Sequence, residues 1–148
     1  MLEDTRMAIL TIEQLKVGDS YSEELRLDED TIARFVELSR DRAGIHVDKE
    51  FSAQRGFANL VTHGFLLSIP FSRILGMELP GEDTVIGSIE LNFHAPVYQG
   101  ATVRYTATVR RILLPLRSVA LDLTIATADG TLCVAGKTTC VFKDKGTS

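Results

Sequence analysis

Residues Gly64 to Met77 read GFLLSIPFSRILGM. Wound as a helix, this segment is apolar almost all the way round, which implies burial on most of its surface rather than one wet face. Pro70 lies inside it, lacking a backbone N–H and crowding the preceding turn, so a kink or a late helix start is predicted there. Leu79-Pro80-Gly81 ends the segment. A helix of this kind needs a surface around it, and the chain beyond supplies one. The segments from about Thr84 to His94, Ala101 to Leu113, Arg117 to Ala128 and Thr131 to Phe142 read as strands. They are separated by Tyr98-Gln99-Gly100, Leu114-Pro115 and Asp129-Gly130, the last a strong tight-hairpin signal. Val119, Leu121, Leu123 and Ile125 alternate so as to line one buried face, with Asp122 and Thr124 pointing outward. The predicted class is α+β: an antiparallel β-sheet curled around one long central apolar helix, in a single domain over residues 1–148.

The first half of the chain is punctuated more finely. Thr11 to Asp19 is a short lead-in closing on a Val-Gly-Asp turn, and Ser20 to Leu27 reads as a first strand. Asp28 is placed to cap a helix from about Asp30 to Ser39, with acidic residues in its first turn and Ile32, Phe35 and Val36 at helical spacing. Ser39 to Asp48 (SRDRAGIHVD) interrupts that pattern as a loop, in which Gly44 is expected to supply conformational freedom for a sharp turn. Lys49 to Arg55 is predicted to form a short helix stopped by Gly56.

Composition bounds the possible functions. A chain of 148 residues fits one compact core, and 45% apolar with 24% charged residues is the composition of a globular protein. A formal charge of -4 gives no reason to expect nucleic acid or anionic lipid as partner. Met1 to Leu10 has no apolar core of signal-peptide length, and no run approaches the roughly 18 apolar residues of a membrane span, so a cytoplasmic location is expected. Cys133 and Cys140 stand seven residues apart in a strand-like segment. If the pairing register holds they fall on opposite faces, as reduced packing residues rather than a disulfide.

The chemistry-bearing residues gather between the first helix and the apolar one. Asp41 and His46 stand five residues apart where the first helix gives out, and His63-Gly64 opens the apolar helix. Together they suggest an acid/base pair beside backbone donors aimed at a carbonyl, a combination suited to an acyl thioester. His63 reads as a structural residue bonding loop backbone, and His94 as structural or exposed. The three histidines lack paired ligand spacing and the cysteines lack a zinc pattern, so no metal is expected.

At Ser39-Arg40-Asp41-Arg42-Ala43-Gly44-Ile45-His46-Val47-Asp48 the chain resembles the MaoC-like dehydratases, in particular the (R)-specific enoyl-CoA hydratases of the hot-dog fold. That family's pattern is Ser or Thr, any residue, Asp, any, Asn, Pro, any, His, any, Asp. His63-Gly64-Phe65-Leu66 is similar to its histidine-glycine helix start, Ser72 falls on its helix serine, and Phe93-His94-Ala95-Pro96-Val97 with Gly100 is similar to its aromatic Pro-Val-Gly stretch. The Asn-Pro pair between the acidic residue and the histidine is replaced here by Ala43-Gly44.

The resemblance implies a hydro-lyase that adds water to an enoyl thioester or removes it from a 3-hydroxyacyl thioester, on CoA or a carrier protein, without a cofactor. Asp41 and His46 would be the catalytic pair, and the Gly64 N–H would hold the enolate oxygen. Ser72 would orient the Asp41 carboxylate, and Arg42 is a possible substrate-binding group. A homodimer or dimer of dimers is implied, with sites at the subunit boundary. Three other readings stay open: a thioesterase in which the same pair directs water at the carbonyl, conjugate addition of an amine, and a non-catalytic acyl-thioester sensor.

Overall fold

The computed structural model describes residues 10–144. The expectation placed on Met1 to Leu10 lies outside the described residues, except at Leu10. Strand β1 (Ser20–Arg26) leads into α1 (Glu29–Ser39), whose start is fixed by Asp28: its carboxylate accepts the Thr31 N–H at 2.9 Å, satisfying a first-turn donor. Two short helices, α2 (Gly44–Val47) and α3 (Lys49–Gln54), follow. Residues 39–48 were expected to be loop throughout, but a single helical turn forms inside them. Gly56, at φ +86°, ends this region as expected.

The apolar segment forms the central helix, residues 64–78, in three pieces. Helix α4 (Gly64–Ser68) stops at Ile69, and α5 (Pro70–Arg73) restarts with proline in the first turn, where its missing N–H is no loss. The last stretch, Ile74–Glu78, winds wider, and the Leu79 N–H reaches back five residues to the Ile74 carbonyl at 2.9 Å. The break was legible in Pro70. The wide final turn was not.

Strands β2 (Thr84–Phe93), β3 (Thr102–Leu113), β4 (Ser118–Thr127) and β5 (Leu132–Phe142) complete a five-stranded antiparallel sheet in the order β1-β3-β4-β5-β2. Val119, Leu121, Leu123 and Ile125 are fully buried and Asp122 is exposed, as the alternation predicted. With Val103, Tyr105, Ala107 and Val109 of β3 they form one core with Leu67, Phe71, Ile74 and Leu75 of the central helix. Tyr105 joins the two layers: its ring meets Phe71 edge-on at 5.3 Å and its hydroxyl donates to the Leu67 carbonyl at 2.7 Å. That bond lies one turn before Pro70, where the backbone ladder of the helix is interrupted.

Two expectations need correction. The helix is not covered on every side: Phe65 is 84% exposed and Ile69 51%. The two cysteines do not fall on opposite faces either, since both are free and fully buried in the same core. Ile125 pairs with Val134 and Ala126 with Leu132, so β5 carries an extra residue at Cys133, and this bulge reverses the side-chain parity beyond it. Burial pushes the Cys140 thiol up to about 11. Among the described residues no helix is long and apolar enough to cross a membrane.

Candidate active site

Helix α1 ends because Arg40 adopts the left-handed conformation at φ 60°, ψ 14° while its N–H still bonds the Val36 carbonyl at 2.8 Å. A side-chain-bearing residue there costs about 1–2 kcal/mol, and the reversal it makes delivers Asp41 to the mouth of the loop. Asp41 donates its N–H to the Ser39 hydroxyl at 3.1 Å, and its carboxylate accepts the Ala43 N–H at 3.0 Å, so the turn is closed by local bonds. Gly44 then opens α2. Its φ is not positive, so conformational freedom is not what the position requires. A Cβ at residue 44 would collide with the Phe51 ring, which lies against the glycine and carries the Arg55 guanidinium 4.6 Å from its centroid. Where the family has its Asn-Pro pair, this chain thus packs Phe51 against Gly44.

The one-turn helix α2 presents His46 toward His63. Their rings stack with centroids 3.9 Å apart at 23°, and Phe35 of α1 meets His63 edge-on at 4.9 Å. Backbone carbonyls assign the tautomers, because a carbonyl can only accept. His46 Nδ1–H donates to the Val61 carbonyl at 2.7 Å, which leaves Nε2 with the free electron pair. His63 Nε2–H donates to the Asp41 carbonyl at 3.1 Å, tying the turn to the start of the central helix, and its Nδ1 is buried without a partner among the described residues. Burial holds the His63 pKa below its usual 6.5, and the neighbouring His46 pushes the same way. The Asp41 carbonyl and the Asp41 charge oppose them.

One ligand atom each from Asp41, His46 and His63 lies within 4.8 Å of the other two. A divalent cation could be held at such spacing, but stacked rings send their in-plane electron pairs side by side rather than toward one point. The same spacing sets a ring nitrogen of His46 near a carboxylate oxygen of Asp41, an arrangement consistent with a catalytic site.

Gly64 adjoins the cluster. As the first residue of α4, its N–H belongs to the helix turn that has no internal acceptor. The Phe93 ring lies against it, so that a Cβ at residue 64 would come within 3.3 Å of ring carbon Cε1. His46 and Gly64 line one cavity of about 340 Å³ together with Phe57, Val61, Phe93 and His94. A second, apolar groove of about 530 Å³ begins at the same Gly64 and Phe93 and runs between the central helix and β2, past Phe65, Ile69, Ile86 and Ile89.

The structure thus brings Asp41, His46, His63 and Gly64 together. Arg42 is exposed and forms no ion pair among the described residues. Ser72 is also exposed and makes no hydrogen bond to Asp41, whose carboxylate is engaged by Ala43. Ser72 comes eight residues after Gly64, ~12 Å further along a helix rising ~1.5 Å per residue, and it lines the apolar groove instead. His94 is exposed, yet it borders the cavity that holds His46. Gln99 carried no signal beyond its turn, but its side-chain amide donates to the His46 carbonyl at 2.8 Å and to the Val61 carbonyl at 3.3 Å.

A family model described as the MaoC like domain matches residues 13–114. The chain belongs to the MaoC-like family. An (R)-specific enoyl-CoA hydratase from Aeromonas caviae is 33% identical over 94 residues, which are 64% of this chain and 70% of that protein. A 3-hydroxybutyryl-CoA dehydratase from Methylorubrum extorquens is 32% identical over 113 residues, 76% of this chain and 71% of that protein. The solved (R)-hydratase from A. caviae, described as involved in PHA biosynthesis, superposes with a TM-score of 0.83 at 30% identity, covering 88% of this chain and 99% of that one. The MaoC-like chain accordingly has the hot-dog fold, with its sheet wrapped around the central helix.

The environment of His63 gives a signed pH dependence. Its folded pKa lies below its unfolded value near 6.5, so the unfolded chain binds more protons in that range and stability falls as pH drops through about 6.5. The loss saturates below the folded pKa. Melting temperatures between pH 7.5 and 5.5 should show the fall. Gln at residue 63 keeps a donor for the Asp41 carbonyl but cannot titrate, so His63→Gln should flatten it; an unchanged pH slope in that variant would contradict the assignment.

Proposed function

We propose that this MaoC-like protein interconverts 2-enoyl and 3-hydroxyacyl thioesters by adding or removing water. The observation that carries the reading is the cluster of Asp41, His46 and His63, one ligand atom of each lying within 4.8 Å of the others, with His46 Nδ1 bonded to the Val61 carbonyl and His46 lining a cavity shared with Gly64. In the hydration direction, water held between Asp41 and His46 gives a proton to Nε2 as its oxygen bonds the β-carbon. The electron pair of the double bond moves onto the thioester oxygen, where the Gly64 N–H and the positive end of the helix stabilise it. The α-carbon then takes the proton back from His46, restoring the thioester. No group is oxidised or reduced, so the reaction requires no redox cofactor. The names of the two related enzymes, an enoyl-CoA hydratase and a hydroxybutyryl-CoA dehydratase, support a CoA thioester as the substrate.

The same reading includes a homodimer. Strand β2 closes one edge of the sheet and exposes Val85, Ile86, Ile89 and Phe93, each between 44% and 54%. With Phe65 and Ile69 they make an apolar border along an edge that has free backbone groups, the kind of edge a monomer ordinarily protects with charge. A second copy paired through β2 would cover both.

Asp41→Asn and His46→Ala should each lower turnover of a short trans-2-enoyl-CoA at least on the order of 10²-fold, with the melting temperature little changed. Near-wild-type turnover in either variant would overturn the assignment. In light scattering the protein should have twice or four times the 16.3 kDa chain mass. Ile89→Lys should shift it toward one chain; a wild-type monomer would remove the dimer from the account.

A further inference from the structure

We infer that Gln99 is a positioning residue for His46, holding with a single amide both the backbone that carries the imidazole and the carbonyl to which the imidazole is bonded. The inference rests on the acid/base role proposed for His46.

Residues 97–99 run alongside 60–62: the Thr62 N–H donates to the Val97 carbonyl at 2.8 Å, the Gln99 N–H to the Leu60 carbonyl at 2.9 Å, and Val61 bridges Tyr98. The Val61 N–H in turn donates to the Ile45 carbonyl at 2.9 Å, so the strand-like piece 60–62 is clamped between the 97–99 turn and helix α2. Backbone bonds alone would fix these segments side by side. They would not fix the direction in which His46 projects.

The Gln99 side chain adds that control. Its Nε2 crosses over Val61 and donates to the His46 carbonyl at 2.8 Å. That carbonyl lies near the end of a four-residue helix, where no intrahelical N–H reaches it, so without Gln99 the peptide carrying His46 could rock. The second Nε2 donation, at 3.3 Å, goes to the Val61 carbonyl, the same oxygen that accepts His46 Nδ1–H at 2.7 Å. One amide therefore anchors the backbone from which the imidazole grows and also the acceptor that sets its rotation and tautomer. Both partners are carbonyls, so only the nitrogen end of the Gln99 amide can face them. A carboxylate in its place would repel both.

Gln99 lies away from the reacting atoms and acts through His46. Its loss should therefore reduce kcat while leaving KM nearly unchanged, since misplacing a catalytic group by a fraction of an ångström slows the chemical step. Met is close to Gln in length and volume and has no donor. Gln99→Met should lower kcat about 10- to 100-fold with KM within about twofold. Gln99→Glu, which substitutes acceptors for donors, should lower it at least as much. A positioning role makes one further demand that a general structural role does not: in a His46→Ala background, Gln99→Met should cost nothing more.

The experiment is this double-mutant cycle, with kcat, KM and the melting temperature measured for the four proteins on one enoyl-CoA substrate, and Gln99→Glu standing in should Gln99→Met fail to fold. A kcat loss in the Gln99 variant that vanishes in the His46→Ala background supports the inference. If His46→Ala costs activity but the Gln99 variant does not, or the two losses multiply, the positioning role is wrong and the His46 assignment stands. If His46→Ala costs nothing, the underlying reading of the site fails and the inference with it.

Discussion

The helix over residues 64–78 has apolar side chains on almost every side, and such a segment is stable only when something surrounds it. Five antiparallel strands cover most of it, with β3, β4 and β5 turning one alternating row of residues each toward it, and leave Phe65 and Ile69 exposed. Fully burying one large apolar side chain is worth roughly 1.5–3 kcal/mol, and Leu67, Phe71, Ile74 and Leu75 all lie within the cluster. Since helix and sheet share one core, the helix start is fixed in space, and with it the free amides at Gly64. Tyr105 completes the fit by supplying a donor to Leu67, one turn before Pro70 interrupts the backbone ladder.

The site is a consequence of that fixed helix start. Three short segments are layered against it: the turn 40–46, the strand-like piece 60–62 and the turn 97–99. Each is tied to its neighbour by backbone bonds, and side chains refine the result. His63 binds the Asp41 carbonyl, His46 binds the Val61 carbonyl, and Gln99 binds the carbonyls of both His46 and Val61. The imidazole nitrogens bonded to carbonyls are those that the proposed proton transfer does not use. Of the two ring nitrogens bonded to no carbonyl, Nδ1 of His63 is buried without a partner among the described residues, and Nε2 belongs to His46, which lines a cavity shared with Gly64.

Features that depend on local periodicity could be read from the residues. The strand alternation at Val119 to Ile125, the Asp28 cap, the Pro70 break and the juxtaposition of Asp41 with His46 all follow from spacing and from residue chemistry close in sequence. Features that depend on distant partners could not. Gly44 looked like a turn glycine, while its real constraint is a ring seven positions later. The two cysteines misled because a single bulged residue reverses parity, and nothing in a strand pattern announces a bulge. Ser72 seemed placed to reach Asp41, but its position along an interrupted helix directs it to another groove. Gln99 sat unnoticed in a turn because its importance lies in two carbonyls, one of them 53 residues away.

The proposed reaction adds water across a double bond and leaves the thioester intact. It is tested most directly by the masses formed when the purified protein meets short and medium trans-2-enoyl-CoA esters, with free thiol followed in parallel. A product heavier by one water, with no thiol released, is the predicted result. Release of CoA would make the site a thioesterase, and unchanged substrate across the panel would contradict hydration altogether.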